Sequence, residues 1–190
     1  MTKTIGVVLA GGLSRRFGSP KAFARLDDRP FFRIAMDALD GLCSEVIIVT
    51  RPELHAGFPE TATVIVDMEE FQGLGPLAGI LSAMEFVEAD RYVILPCDMP
   101  YISRSVMVGL IGQHRSGVTA VRTGDRFHPL ISIWDRDLSQ ALRTALEKEQ
   151  LRVMEILSSA DVTWVDGDGL AKNDKRVFRN VNDPGLLERD

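Results

Sequence analysis

The segment Leu9-Ala10-Gly11-Gly12-Leu13-Ser14-Arg15-Arg16-Phe17-Gly18-Ser19-Pro20-Lys21 sets two adjacent glycines ahead of two arginines and a lysine. Glycines lack the Cβ that would keep a backbone away from a ligand. The N–H groups exposed in such a turn make a concavity suited to phosphate oxygens. Arg15, Arg16 and Lys21 supply positive charge matched to a polyphosphate. Farther on, Asp67 and Asp98 each close an apolar run. A carboxylate placed like Asp98 holds Mg²⁺ well, since that ion takes one or two carboxylates and fills its shell with phosphate oxygens and water. The alternative for Asp98 is a turn residue, because Asp98-Met99-Pro100 is also good turn chemistry. Asp67 reads as a second metal contact, as an acceptor for ribose or base, or as a strand-end residue only. Together these residues describe a nucleoside triphosphate site. The plainer alternative is a glycine-rich turn with basic residues on a solvated face.

Two familiar phosphate loops are excluded by spacing. Lys21 is followed by Ala22 and has no glycine directly before it, so the Walker pattern fails. The glycines at 11, 12 and 18 do not make the dinucleotide fingerprint either. A second glycine-rich stretch, Gln72-Gly73-Leu74-Gly75-Pro76-Leu77-Ala78-Gly79, brings backbone close to a base through Gly75 to Gly79, or simply starts a helix with Gly79 present for close packing. Cys97, beside Asp98, reads as a buried structural thiol rather than a nucleophile, since no histidine stands in a partner motif. His55 reads as a surface residue.

The elements that must position these residues alternate. Ile5–Leu9, Glu45–Thr50, Thr63–Asp67 and Arg91–Asp98 are short apolar runs and predict strands, the last two each ending in an aspartate. Helices are expected over 30–39, 77–87, 103–113, 138–147 and 153–157, with Ser103 as an N-cap. Arg51 to Thr61 reads as loop. Gly117–Arg122 and Pro129–Trp134 predict strands around the turn Thr123-Gly124-Asp125, and Val162–Val165 and Val177–Asn180 close the chain as short strands. Alternation of this kind implies an α/β fold with a mostly parallel central sheet and helices on both faces. In such sheets ligands bind beyond the carboxyl ends of the strands. Leu9, Asp67 and Asp98 all fall at such ends, so three distant stretches should meet in one crevice.

The 190 residues suffice for one domain, 1–190, with a sizeable core. A net charge of −5 argues against a general nucleic-acid binder. The two cysteines form no Cys-x-x-Cys pair and show no metal spacing with His55, His114 or His128. No signal peptide or 18-residue apolar span is evident. A cytoplasmic protein with reduced thiols and no membrane partner is expected.

The motifs Leu9-Ala10-Gly11-Gly12-x-Ser14-x-Arg16-Phe17-Gly18-x-x-Lys21, Gly75-Pro76-Leu77-Ala78-Gly79, Pro96-Cys97-Asp98-Met99-Pro100 and Asn180-Val181-Asn182 occur in this order. Together they resemble the molybdenum cofactor guanylyltransferases over nearly the whole chain. The resemblance implies a Rossmann-like three-layer nucleotidyltransferase fold. It also implies a reaction in which GTP and molybdenum-bound molybdopterin give the guanine dinucleotide form of the cofactor and pyrophosphate. In family terms Leu9, Ala10, Gly11 and Gly12 line the nucleotide, Lys21 contacts its phosphates, Asp67 helps bind guanosine and Asp98 binds Mg²⁺. Asn180, Asn182 and the Phe127-His128-Pro129 turn resemble the segments facing the pterin, although His128 and Asn182 also read as structural loop residues. Phe17 replaces the usual Met of the loop, and Asp183 stands before Pro184 where Thr is commoner.

Two other readings compete. A molybdopterin cytidylyltransferase shares the loop logic, but that family more often carries Ala-Ala-Gly in place of Ala10-Gly11-Gly12. A non-catalytic nucleotide-binding partner in cofactor assembly is the alternative from another class, and the lysine and aspartate together argue against it. Hand-over of the product to other molybdenum-cofactor assembly proteins is an expectation of the same resemblance.

Overall fold

The computed structural model describes residues 2–12, 17–172, 174–182 and 185. Arg15 and Arg16, expected in the basic loop, lie outside the described residues.

In chain order the strands are β1 (Thr4–Leu9), β2 (Arg25–Leu26), β3 (Arg29–Pro30), β4 (Glu45–Thr50), β5 (Thr63–Val66), β6 (Arg91–Pro96), β7 (Val118–Thr123), β8 (Arg126–Asp135) and β9 (Val162–Asp166). The helices are α1 (Phe31–Leu39), α2 (Pro52–His55), α3 (Pro76–Phe86), α4 (Arg104–Gln113), α5 (Ser139–Glu147), α6 (Val153–Ser159) and α7 (Gly167–Leu170). Seven strands form one sheet in the order β5-β4-β1-β6-β8-β7-β9, with β2 and β3 making a small separate ribbon. Within the sheet only β8 runs against the others. The expected mostly parallel sheet is what forms.

Two apolar clusters, one on each face, make three layers. On one face Val8, Ile48, Val93 and Leu95 pack with Phe32 and Leu39 of α1 and with Met107 and Leu110 of α4. On the other, Ile5, Val7, Ile47 and Ile94 pack with Leu77, Ile80, Leu81 and Met84 of α3 and with Leu142 and Leu146 of α5. Alternate residues of β1 thus serve opposite cores, as the two-residue period of a strand requires. Helix α3 is buried from Leu77 to Met84, which explains its nearly unbroken apolar sequence.

Three local expectations outside β8 are corrected. Val177 and Phe178 are buried but form no strand; their neighbourhood is built of turns, with Val177 N–H donating to Asp174 O and Arg179 N–H to Arg176 O. The apolar pair reaches the core without joining the sheet. Ser103 does precede α4, yet its hydroxyl meets Ser105 Oγ at 2.8 Å instead of capping the backbone. The stretch after β4, expected as loop, carries the short helix α2, opened by Pro52 at its first turn.

The register between β7 and β8 shifts once. Val121 pairs with His128, but the preceding Ala120 pairs with Ser132, so residues 129–131 bulge out of β8. Pro129 cannot donate to a ladder, and a bulge is where a strand tolerates it. The strand expected from Pro129 to Trp134 therefore starts earlier, at Arg126, and is interrupted at Pro129.

Candidate active site

Strand β1 ends between its neighbours. Ala10 N–H donates to Val49 O at 2.8 Å, and Cys97 N–H donates to Leu9 O at 3.1 Å. These bonds hold the first residues of the glycine loop between the carboxyl ends of β4 and β6. Ala10 is buried, Gly11 half-buried and Gly12 exposed, so the backbone rises towards solvent where a ligand would enter.

Lys21 opens a 3₁₀ turn, Lys21–Phe23, whose Ala22 is buried. The same turn is pinned by Phe23, which packs against Phe32 and Phe58 with ring centroids 6.1 and 4.8 Å away. Anchored in this way, the Lys21 ammonium donates to Asp98 Oδ2 at 2.9 Å and to Asn182 Oδ1 at 2.5 Å. Asn180 Nδ2 lies 3.5 Å from the same Asp98 oxygen, and Val181 N–H donates to Asp98 O at 2.9 Å. The segment 180–182 therefore crosses directly over Asp98.

On the other side of β1, Asp67 follows β5. Its Oδ2 accepts from Gly73 N–H at 3.4 Å. Burial raises the pKa of this carboxyl above the ordinary value, and the Gly73 N–H opposes that rise. Gly75 sits at φ +86°, a conformation that disfavours any residue with a Cβ, and directly precedes α3. At Gly79 an added Cβ would lie 3.1 Å from Leu9 Cδ2 and 3.3 Å from Val49 Cγ1, so close packing is one reason for this glycine. The other is its place on the wall of the cleft.

That cleft has a volume of about 840 Å³. It is lined by all the described site candidates: Leu9, Ala10, Gly11, Gly12, Lys21, Asp67, Gly75, Gly79, Asp98, His128, Asn180 and Asn182. It lies beyond the carboxyl ends of β1, β4 and β6. The pairing of β6 with β8 stops at Ile94 with Ser132, and the bulged residues 129–131 of β8 join the cleft wall. From β1 the chain runs outward to β4 and β5 and then returns to the other side of β1 at β6, and the carboxyl ends of the strands at such a reversal of strand order are where ligand crevices form.

His128 forms part of the far wall. It is buried, its Nε2 lies 2.8 Å from Thr123 Oγ1, and its ring packs 5.2 Å from that of Phe178. Burial, reinforced by Arg126 and opposed by Asp168, pushes its pKa down to about 4. It is a neutral ring at pH 7. Cys97 is buried, and its thiol is pushed up to about 12 by burial first and Asp98 second. That suits a structural thiol. His55 is exposed and outside the cleft, with Nε2 3.3 Å from Val64 O.

Residues 6–162 match the family model described as the MobA-like NTP transferase domain. The chain belongs to the MobA-like NTP transferase family. Among curated members it is 37% identical to a probable molybdenum cofactor guanylyltransferase of Geobacillus sp. strain WCH70, covering 99% of this chain and 98% of that protein. It is 36% identical to a protein of the same name from Bacillus subtilis strain 168, covering 95% and 90% respectively. The expected resemblance to the molybdenum cofactor guanylyltransferases is thereby met. The crystal structure of molybdopterin-guanine dinucleotide biosynthesis protein A from Archaeoglobus fulgidus superposes with a TM-score of 0.80, covering 97% of this chain and 95% of that one at 23% identity. The family fold is the Rossmann-like nucleotidyltransferase arrangement expected from the motifs.

Sequence reasoning missed two charged residues of this family member's cleft, Arg126 at the start of β8 and Arg51. Arg51 lines it, directly after the carboxyl end of β4. The signal was available: the strand-end rule that singled out Asp67 and Asp98 applies equally to the residue following Thr50. Among the described residues no helix is long and apolar enough to cross a membrane.

Proposed function

We propose that the protein transfers GMP from GTP to the terminal phosphate of molybdenum-bound molybdopterin, forming the guanine dinucleotide cofactor and releasing pyrophosphate. The observation that carries this reading is the cleft, which gathers the glycine loop, the Lys21–Asp98 pair and the β8 wall in one place. The names of relatives covering almost the full chain support the same reaction.

In this reading Leu9 to Gly12 line the nucleotide, with Asp67, Gly75 and Gly79 on its guanosine side. His128, Asn180 and Asn182 face the pterin. The acceptor phosphate attacks the α-phosphorus in line, and the bond from that phosphorus to the β-phosphate oxygen breaks. That acceptor is already ionised at neutral pH, so no general base is required. Lys21, with the loop arginines Arg15 and Arg16, neutralises the charge that builds on the phosphate oxygens. The rest of the rate comes from holding the two substrates in line.

Asp98 is the carboxylate proposed to hold Mg²⁺. The donor set fits: Asp98 lines the cleft with one carboxylate, and its contacts with Lys21 and Asn180 fall on Oδ2. A one-carboxylate site completed by phosphate oxygens is what Mg²⁺ commonly takes. When bound, the ion supplies electrostatic stabilisation of phosphate charge. The reaction belongs in the cytoplasm, with other cofactor-assembly proteins receiving the product.

Pyrophosphate release is the test, measured with molybdenum-bound molybdopterin, Mg²⁺ and each of GTP, CTP, ATP and UTP. Release with GTP alone is expected. Release with CTP in its place would move the protein to the cytidylyltransferases. Binding of GTP without release would make it a non-catalytic partner.

A further inference from the structure

Among the described residues, Arg51 Nε is the one buried side-chain nitrogen or oxygen without a hydrogen-bond partner. Leaving a buried donor unmet is costly, more so on a charged group. Such a group is tolerated where a ligand supplies the acceptor. Arg51 lines the nucleotide cleft and is only half-buried as a residue, so a turn of its side chain towards an arriving nucleotide is what brings this enclosed nitrogen an acceptor.

The position of Arg51 says which part of the nucleotide it meets. Its stem lies under the glycine loop, with Cγ 3.5 Å from where a Cβ on Gly11 would stand. Lys21 and Asp98, the phosphate-handling pair, stand on the β6 side of β1. Arg51 stands on the β4 side, towards Asp67, Gly75 and Gly79. A nucleotide laid across the end of β1 with its phosphates at Lys21 therefore extends its base over the β4–β5 side.

We infer that Arg51 reads the guanine edge, its guanidinium donating to O6 and N7 of the base. The inference rests on the proposal that GTP is the nucleotide. The match is chemical: O6 and N7 are two adjacent acceptors, and a planar guanidinium presents two parallel donors. Adenine places its N6 amino group beside N7, so one donor would face another. Cytosine likewise offers an amino donor at N4. Base choice in this protein then rests on a side chain as well as on loop backbone.

The test is a binding cycle on the full-length protein, by competition against a fluorescent guanosine triphosphate with Mg²⁺ present. Wild type, Arg51→Gln and Arg51→Lys are each titrated with GTP, with 7-deaza-GTP, which lacks N7, and with 2-aminopurine riboside triphosphate, which lacks O6. Wild type should prefer GTP over the analogue lacking O6 by about tenfold or more, the scale of a bidentate Arg–guanine contact. Arg51→Gln should weaken GTP by a similar factor and lose most of the preference. Arg51→Lys, which keeps the charge but not the fork, should lose the preference for N7 over 7-deaza. Equal weakening of all three nucleotides in Arg51→Gln would make Arg51 a phosphate or structural contact and overturn the inference. So would an unchanged GTP affinity. Pyrophosphate release by the wild type, run alongside, reports separately on the proposed reaction, because the cycle reads binding alone.

Discussion

Lys21 Nζ stands 2.9 Å from Asp98 Oδ2, joining residues 77 positions apart in the chain. The two side chains keep 16% and 21% of their exposure, so the pair is sheltered but still touched by water. An ammonium and a carboxylate held this way place one positive and one negative group side by side on the cleft wall.

Replacing either partner should separate catalysis from folding. Lys21→Ala and Asp98→Asn are each expected to lower the rate of pyrophosphate release by about 10²-fold or more. Residual solvent contact limits the cost of the unpaired charge, so unfolding free energy should fall by less than about 2 kcal/mol. Urea unfolding and steady-state kinetics on the same preparations check both. A variant with near-normal rate would remove that residue from the mechanism.

Gly79→Ala sets two effects against each other. Alanine in a helix interior is favoured over glycine by about 1 kcal/mol. Its methyl would press on Leu9 and Val49, at 3.1 and 3.3 Å. Leu9 lines the cleft and must move. Stability should stay within about 1 kcal/mol of wild type while KM for GTP rises several-fold. An unchanged KM would show that Leu9 yields without disturbing the nucleotide.

Gly75→Ala should be worse on both counts. At φ +86° the backbone resists a Cβ, and strain of this kind costs roughly 1–3 kcal/mol. The loop between Asp67 and α3 would relax, loosening the Gly73 N–H contact to Asp67. Thermal unfolding and GTP titration are the readouts, and a fully stable, tight-binding variant would refute the argument.

The thiols should be bystanders. With Cys97 pushed up to about 12 and Cys43 to about 11, neither is a thiolate at neutral pH. Cys97→Ser should retain most of the wild-type rate, and iodoacetamide at pH 7.5 should leave native enzyme active. Rapid inactivation, prevented by Cys97→Ser, would restore the nucleophile reading.

Acid stability should carry the signature of His128. Its folded pKa of about 4 lies below the ordinary 6.5, so between these values the unfolded chain binds the proton and the folded one does not. Stability therefore rises with pH through this window, is complete above it, and is lost on acidification. The full loss amounts to roughly 3 kcal/mol. His128→Gln should flatten the pH dependence of urea unfolding between pH 4 and 6.5. An equally steep slope in the variant would assign the acid sensitivity to other groups.

Much of this site was legible because it obeys one rule. Residues at the carboxyl ends of parallel strands converge, and Leu9, Asp67 and Asp98 all carried that position on the face of their apolar runs. The β8 bulge was not legible: a three-residue displacement depends on how β7 and β8 fit together, and Pro129 was its only local sign. Val177 and Phe178 misled for a related reason, since burial of an apolar pair does not say whether its backbone bonds to a neighbouring strand or to itself. Arg51 escaped because a charged residue after a strand looks like the start of a loop until the cleft behind it is visible.

The crossing of residues 180–182 over Asp98 has a consequence for how the enzyme comes into being. Lys21 and Asn182, which touch, are separated by 161 positions. A nascent chain that has already placed β1, Lys21 and Asp98 holds the parts for gripping a triphosphate but still lacks the strap above them. The strap arrives only after β9, one of the two edge strands, has been made. Completion of the cleft thus waits for residues that follow every strand of the sheet in the chain.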